Sequence, residues 1–235
     1  MIDAHWQIHD NEAEMAEAVA TDIGAAIDEA IAARGEALVA FPGGRSPATI
    51  FDRLAEARHD WRQVTIVPTD DRLVPASDPL KNHALIARYF QPKGARVLSL
   101  VVDGLADYHK AGRVADAELA QLRWPPDLIW IGVGADGHTA SIFPGPDLEN
   151  ALNEDAEHRA VGVMPDPLPP EAPVARVTLS SAAIVSAREL MLAFAGNDKR
   201  SVVERALKEG PLSSLPIGRV LAKAKNRIII HWSPT

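Results

Sequence analysis

The sequence predicts one α/β domain over residues 1–235, built on an open and mostly parallel sheet. Residues 128–133 are apolar throughout rather than alternating, which is typical of a strand buried on both faces of a parallel sheet. Residues 36–55 and 189–208 each show a strand pattern, a glycine-containing loop and a helix pattern. With 47% apolar residues, the chain has ample material for a buried core. In such sheets ligands bind beyond the carboxyl ends of the strands.

Composition narrows the classes of function. The net charge of −8, from 24 basic and 32 acidic residues, argues against a broad nucleic-acid surface but leaves room for a local basic pocket. The absence of cysteine excludes disulfides, thiolate catalysis and sulfur-ligated metals. No apolar run reaches membrane-spanning length, and the N-terminus lacks a basic region followed by an apolar core. We expect a soluble, cytoplasmic protein with a small-molecule partner.

The first loop of interest follows a long amphipathic helix, predicted between Asn11 and Gly35, and a strand at residues 36–41. Gly43 and Gly44 expose backbone N–H groups, and Ser46 is placed to cap the helix that starts at Ala48. Arg45 lies where a bound phosphate would sit. The loop matches neither nucleotide-binding glycine motif. It predicts an anion site, although a plain tight turn explains the two glycines almost as well.

A second loop follows the strand predicted at residues 64–68 and contains Asp70, Asp71 and Arg72. These residues predict part of the same site, or only an ion pair with a helix cap. Asn82 opens a helix that runs through Phe90. Residues 96–102 predict a further strand, and a helix is expected from about residue 110 to residue 123.

The third loop follows the apolar strand and carries Asp136 and His138, which point to the same side if the loop is extended. Histidine can accept a proton and return it near neutral pH, and a carboxylate can orient it, so the pair predicts an activated water. The alternative is a hydrogen-bonded loop histidine beside a turn aspartate.

The C-terminal third adds two more cations at strand ends. Five prolines between residues 165 and 173 predict an ordered crossing loop or a lid. A strand at residues 174–179 carries Arg176, and a strand at residues 189–195 leads to Lys199 at a helix start. His231 lies inside the last strand pattern, which favours a packed structural role. No metal is expected, because His5 and His9 have no clear third ligand.

Together these motifs resemble the 6-phosphogluconolactonases of the glucosamine-6-phosphate isomerase/deaminase superfamily. The most specific block is Gly-x-Asp-Gly-His-Thr-Ala-Ser-x-Phe-Pro-Gly at residues 134–145. The other matching segments are Pro42-Gly-Gly-Arg-Ser-Pro47, Thr69-Asp-Asp-Arg72 with Val74-Pro75 and Asn82, Arg176-Val-Thr-Leu179 and Gly196-Asn-Asp-Lys199. The chain departs from the family pattern at Asp71, where glutamate is commoner, and at Lys81, where serine is commoner.

The resemblance implies a doubly wound α/β sheet with helices on both faces. It also implies hydrolysis of 6-phosphoglucono-1,5-lactone in the pentose phosphate pathway without a metal or organic cofactor. His138 would be the base that activates water, and Asp136 would orient it. The predicted substrate-binding residues are Gly43, Gly44, Arg45, Ser46, Asp70, Arg72, Asn82, Arg176 and Lys199. The phosphate is expected at the loop from Gly43 to Ser46 with Lys199, and Arg45 and Arg176 are further candidates.

Several alternatives stay open at this stage. Arg72 could bind a sugar oxygen, the phosphate or the oxyanion. A related isomerase or deaminase would share the phosphate loops, but the deaminases resemble Asn-Glu-Pro where this chain has Ile142-Phe143-Pro144. A sugar-phosphate sensor would need an attached DNA-binding helix pair, for which no residues are expected to be spare. The protein is expected to be a monomer or a weak homo-oligomer.

Overall fold

A parallel seven-stranded sheet with helices on both faces forms the frame of the molecule. The computed structural model describes residues 2–44, 46–152, 155 and 157–235. The strands are β1 (His5–Ile8), β2 (Ala37–Phe41), β3 (Val64–Pro68), β4 (Asp70–Arg72), β5 (Arg96–Val97), β6 (Leu128–Ile131), β7 (Ala160–Val163), β8 (Arg176–Leu179), β9 (Glu189–Ala195) and β10 (Ile228–Ser233). The helices are α1 (Glu12–Arg34), α2 (Ala48–Glu56), α3 (Asn82–Phe90), α4 (Tyr108–Leu119), α5 (Leu148–Ala151), α6 (Ser181–Ser186), α7 (Asn197–Glu209) and α8 (Pro216–Leu221).

The large sheet has the order β1-β10-β9-β6-β2-β3-β5, and every neighbouring pair is parallel. From β2 the chain continues to β3 on one side, whereas from β6 the next strand in this sheet is β9 on the other side. The order therefore reverses between β2 and β6. Such a reversal opens a crevice at the carboxyl ends of the two strands, which is where ligands bind in doubly wound sheets.

Strand β6 explains why its sequence is apolar without alternation. Leu128 and Trp130 belong to the core on one face of the sheet, with α1, α2 and α3. Ile129 and Ile131 belong to the core on the other face, with α4, α6, α7 and α8. Because successive side chains point to opposite faces, a central strand covered by helices on both sides must be apolar at every position. The predicted doubly wound fold is confirmed.

A second, antiparallel sheet has the order β4-β8-β7 and lies outside the large one. Strand β4 begins one residue after β3 ends, so the chain leaves the large sheet at Thr69. Helix α4 packs closely on β7, where Gly112 lies over Gly162. A Cβ on Gly162 would lie 1.8 Å from the carbonyl oxygen of Tyr108, so only glycine allows this approach. The strand predicted at residues 174–179 is present as the shorter β8, Arg176–Leu179, which pairs with β4 and β7.

Two further predicted elements differ from the structure in length. The strand expected at residues 96–102 ends at Val97, because Ser99 makes a local turn in which its hydroxyl bonds to both the N–H and the carbonyl of Val101. The helix expected at about residues 110–123 instead spans Tyr108–Leu119, and it begins at Tyr108 because the Asp107 side chain accepts the N–H of Lys110 and caps it. No helix in the described ranges is long and apolar enough to span a bilayer.

The last strand contains a buried histidine. His231 is fully buried in β10, with Nδ1 3.1 Å from His9 Nε2 and Nε2 3.4 Å from an Asp22 carboxylate oxygen. Burial, reinforced by the charge of His9 and opposed by Asp22, lowers the pKa of His231 to about 4. The ring is therefore neutral in the folded protein at neutral pH, which fits a packed structural role.

This depressed pKa predicts a loss of stability in mild acid. Below its ordinary pKa of about 6.5 the unfolded chain binds a proton at His231, and the folded chain does not do so until about pH 4. The free energy of unfolding should therefore fall as the pH is lowered from 6.5 to 4. In urea denaturation across that range, His231→Phe should show a shallower fall. The exposed His109→Gln serves as control and should match wild type, and equal slopes in all three proteins would contradict the assignment.

Candidate active site

One cavity collects nearly all of the residues predicted for the site. It has a volume of about 460 Å³ and lies at the carboxyl ends of β2, β3, β6 and β9. Nine predicted residues line it: Gly43, Gly44, Ser46, Asp70, Arg72, Asn82, His138, Arg176 and Lys199. Asp136 is not among the described residues that line the cavity, but its side chain is hydrogen-bonded to His138, which does line it. Arg45 lies outside the described residues.

His138 and Asp136 form a hydrogen-bonded pair. Nδ1 of His138 lies 2.5 Å from Oδ1 of Asp136, and the same oxygen accepts the His138 backbone N–H at 3.1 Å. Partial burial acts to raise the pKa of Asp136, but the hydrogen bonds and charge of His138 outweigh it and hold that pKa below its ordinary value. An ionised Asp136 accepts the proton on Nδ1 and therefore leaves Nε2 of the neutral ring as the free base.

Glycines allow this loop to bring the imidazole so close to its own backbone. A Cβ on Gly134 would lie 2.2 Å from Nδ1 of His138 and 2.6 Å from Oδ1 of Asp136. The N–H of Gly134 donates to the carbonyl of His138, and Gly137 adopts φ +80°. The loop is therefore a tight turn closed on itself, with the imidazole packed over Gly134.

Two arginines, the buried Arg176 and the half-buried Arg72, face the cavity from the small sheet. Arg72 and Arg176 are directly paired across the antiparallel strands β4 and β8, and the Nε of each makes no hydrogen bond with any residue that the structure describes. Burial lowers the pKa of Arg176, and the charge of Asp70 opposes that effect. Like charges directly opposite in a sheet are destabilising, so a bound anion would stabilise this pair.

Asp70 links the two arginines through neutral side chains. Its Oδ2 accepts the hydroxyl of Ser141 at 2.5 Å, and Nη1 of Arg176 donates to that hydroxyl oxygen at 3.4 Å. On the other side the Asn82 amide donates to Asp70 and accepts from Nη1 of Arg72 at 2.7 Å. Asn82 also lies so close to Gly43 that a Cβ there would be 1.8 Å from its Oδ1. The polar groups of Asn82 are thus used in holding Arg72.

Asp71 has a structural role, in agreement with the alternative interpretation that the carboxylates of this loop form an ion pair and a helix cap. It is fully buried, and its Oδ1 accepts the N–H of Asn82 at 2.8 Å and of Arg72 at 2.9 Å. The ammonium of Lys81, also buried, lies 3.7 Å from Oδ2. Burial raises the pKa of Asp71 despite the opposing charge of Lys81. Asp71 therefore caps α3 and fixes the turn that presents Arg72.

The glycine loop after β2 reaches the cavity, but one prediction about it is wrong. Ser46 does not cap α2: the residue at that position is Pro47, and no side chain caps this helix end. Proline at the cap supplies the carbonyl that accepts the N–H groups of Ile50 and Phe51. Ser46 instead lines the cavity. Gly44 has φ +100°, a conformation that favours glycine.

Lys199 lies in the first turn of α7 and is half-buried at the cavity wall. Its ammonium forms no ion pair or hydrogen bond within the described part of the chain, so it is available to a ligand. The proline-rich segment, residues 164–173, is a crossing loop, and none of its residues lines the cavity. It instead holds Arg176, whose Nη2 donates to the carbonyl of Ala172 at 3.0 Å.

The sequence did not single out several cavity residues. Those missed are Glu12, Met15, Thr69, Trp130 and Phe194, which line the cavity, and Ser141, which is buried and hydrogen-bonded to Asp70. Ser141 lies in the specific motif and could have been found there, whereas Glu12 and Met15 carry only helix-pattern signals. Among the described residues, no group of three or more His, Asp or Glu side chains is arranged to share a metal ion.

Comparison with known proteins identifies the family to which this chain is related. The family model described as glucosamine-6-phosphate isomerases/6-phosphogluconolactonase matches residues 10–230. The chain belongs to this family. A 6-phosphogluconolactonase of Rhizobium meliloti (strain 1021) is 33% identical over 234 residues, covering 98% of this chain and 99% of the relative. The crystal structure of a 6-phosphogluconolactonase from Shewanella baltica OS155 superposes with a TM-score of 0.89 at 30% identity, covering 98% of both chains.

The fold extends beyond the lactonases of the family. A monomeric glucosamine-6-phosphate deaminase superposes with a TM-score of 0.79 at 18% identity, covering 98% of both chains. That likeness shows a shared fold alone, so the chemistry has to be argued from the site.

The close contact between Gly134 and the imidazole of His138 can be tested by substitution. Gly134→Ala should displace the imidazole of His138 and lower kcat by about 100-fold, since an error of about 1 Å in a reacting group can cost that much. Gly132→Ala is the matched control, because its Cβ would meet nothing within 4 Å. Steady-state lactone hydrolysis by both variants, checked for folding by circular dichroism, makes the comparison. Wild-type kcat in Gly134→Ala would contradict this role of the loop.

Proposed function

We propose that this chain hydrolyses 6-phospho-D-glucono-1,5-lactone to 6-phospho-D-gluconate, the second step of the oxidative pentose phosphate pathway, with water activated by His138. The observation that carries this proposal is the His138–Asp136 pair, 2.5 Å apart at a cavity with three cationic side chains. The 6-phosphogluconolactonase relatives, at about 30% identity over nearly the whole chain, support the same reaction.

In the proposed mechanism, Nε2 of His138 accepts a proton from a water molecule while the oxygen of that water attacks C1 of the lactone. Asp136 holds the proton on Nδ1 and stabilises the imidazolium that forms. The tetrahedral intermediate collapses as the C1–O5 bond breaks, and the imidazolium returns its proton to the departing ring oxygen. Water thus adds across one ester bond and no enzyme ester is formed. The chain has no cysteine and no Gly-x-Ser-x-Gly elbow for a covalent route.

The charged groups divide into two proposed subsites. The loop from Gly43 to Ser46, the start of α2 and Lys199 would hold the phosphate, because backbone N–H groups at a helix start and a free ammonium favour a dianion. Arg176 lies over the Phe143 ring on which His138 stacks, so we assign it to the negative charge that develops on the carbonyl oxygen bound to C1. Arg72 supports the same charge across the strand pair.

A rival isomerase or deaminase reaction would need an acidic side chain that this chain does not have at the corresponding position. Where the deaminases resemble Asn-Glu-Pro, this chain has Phe143, and its ring centroid lies 4.2 Å from that of His138. A carboxylate from that position is therefore replaced by an apolar ring against the base. Proton release from freshly generated lactone should exceed the spontaneous rate, and glucosamine 6-phosphate should release no ammonia. The opposite pattern would favour the deaminase.

Assembly and location remain predictions from sequence. We propose a monomer or a weak homo-oligomer that acts in the cytoplasm on a small phosphorylated sugar, without nucleic acid.

His138→Ala should remove catalysis while substrate binding stays largely intact. General base assistance is typically worth about 10²–10⁴-fold in rate, so kcat should fall by that order. Binding of the product 6-phosphogluconate, measured by calorimetry, should change little. The exposed His158→Ala provides a control for loss of a histidine. A folded His138→Ala protein with the wild-type rate would remove His138 from the mechanism.

Lys199→Ala should weaken use of the phosphorylated lactone far more than that of unphosphorylated glucono-1,5-lactone. A charge-assisted hydrogen bond contributes about 1.5–3 kcal/mol, so kcat/KM for the phosphorylated substrate should fall about tenfold to a hundredfold or somewhat more relative to the other. Lys208→Ala, in the last turn of the same helix, is the matched control. Equal losses for both lactones would move the phosphate anchor to Arg45, Arg72 or Arg176.

Activity should survive exhaustive chelation. The described residues offer no group of three His, Asp or Glu ligands, and the proposed base works without a metal-bound water. Rates are compared before and after dialysis against EDTA. A loss that one divalent ion restores would overturn the metal-free mechanism.

A further inference from the structure

The hydrogen bond from Asp136 restrains only one edge of the His138 ring. It holds Nδ1 at 2.5 Å, but the ring can still tilt about the Nδ1–Oδ1 line, which would swing Nε2 away from a fixed water. The anchor is also open to solvent, since the Asp136 side chain is 51% exposed. Gly134 supports the ring near the same edge. A contact with the face of the ring is therefore needed to fix the direction of Nε2.

Phe143 provides that contact. Its ring centroid lies 4.2 Å from the centroid of His138, with 28° between the two planes. This separation is shorter than the roughly 4.5–7 Å usual for aromatic ring pairs, so the faces of the two rings are in direct contact. A tilt of the imidazole would break the stack, so the stack resists the motion that the hydrogen bond permits.

The Phe143 ring is itself restrained. Ile142 before it is fully buried, and its N–H donates to the carbonyl of Thr139 at 2.8 Å. The guanidinium carbon of Arg176 lies 4.8 Å from the centre of the Phe143 ring, and Arg176 is held by the carbonyl of Ala172. The buried Ile142 and the guanidinium of Arg176 thus restrain the Phe143 ring independently of His138.

We infer that Phe143 is a positioning residue for His138: its aromatic face sets the tilt of the imidazole and thereby aims Nε2 at the attacking water. The inference rests on the proposed function for its effect on rate, and on geometry alone for its effect on the ring. Phe143 is not among the described residues that line the cavity, so we assign it no contact with a reacting atom and a role through the base.

The kinetic test compares non-aromatic and aromatic replacements. Phe143→Leu should lower kcat by about 10- to 100-fold, as expected for a misaimed reacting group, with KM changed by about threefold or less. Phe143→Tyr keeps the ring and should retain kcat within about threefold. Phe143→Met repeats the test if the leucine variant is poorly folded. In a His138→Ala background, Phe143→Leu should cause no further loss, because there is no base left to aim.

A spectroscopic test does not depend on activity. In wild type the Cε1 proton of His138 should show an upfield ring-current shift in the NMR spectrum, assigned by its absence from His138→Ala. The shift should be lost in Phe143→Leu and Phe143→Met and kept in Phe143→Tyr. A role in packing alone would not separate these variants by their aromatic character.

Three outcomes would overturn the inference: wild-type kcat in Phe143→Leu, equal losses in the leucine and tyrosine variants, or a further loss of rate in the His138→Ala background. If the wild-type protein failed to hydrolyse the lactone, the proposed function would fall. The ring-current comparison would then still decide whether Phe143 fixes the imidazole, so the two failures are distinguishable.

Discussion

The parallel pairing of β2 with β6 is the constraint on which the site depends. Val39 pairs with Leu128 and Ala40 with Ile129, so the two strands end side by side at the same edge of the sheet. The order of the sheet reverses at this pair, and the loops after the two strands therefore open a crevice instead of crossing it. One loop brings glycine N–H groups, and the other brings His138, the proposed base. The apolar pattern of β6 thus serves the chemistry by placing the end of that strand in the middle of the sheet.

The second sheet adds the charge that the first cannot supply. The chain has a net charge of −8, yet Arg72, Arg176 and Lys199 all line its cavity. Two of these cations are paired across β4 and β8, and Asp70 holds them at fixed positions through Ser141 and Asn82. Such preorganised donors need not reorient when negative charge develops on the substrate. The cost of packing two arginines together is offset when an anion binds.

Much of the site could be predicted because its signals are local. The strand before the Asp136–His138 loop is apolar on both faces, and glycine and ionisable residues follow it directly. Arg72, four residues after the end of β3, and Lys199, four residues after the end of β9, were found in the same way. Residues whose roles depend on partners far along the chain could not be assigned. Asp70 and Asp71 are adjacent and chemically identical, and only tertiary structure directs one to the cavity and the other to the N–H groups of α3.

Other differences arose where two local solutions compete. A serine before a proline predicts a helix cap, but Pro47 supplies the first carbonyl of α2 and leaves Ser46 to the cavity. A β-rich run predicts a strand, but the Ser99 hydroxyl satisfies the backbone of Val101 and ends the strand at Val97. In each case two local hydrogen-bonding arrangements compete, and the sequence pattern alone cannot rank them.

Chemical rescue tests the central claim, that His138 acts as a general base, most directly. In His138→Gly, added imidazoles can occupy the space beside Asp136 and take the proton from water. Rates are measured with freshly generated 6-phosphogluconolactone and corrected for hydrolysis by the same imidazoles without enzyme. The account predicts a saturable recovery of rate that increases with the basicity of the imidazole. A recovery that is independent of basicity would show that the ring only fills space, and would contradict the assignment of His138 as the base.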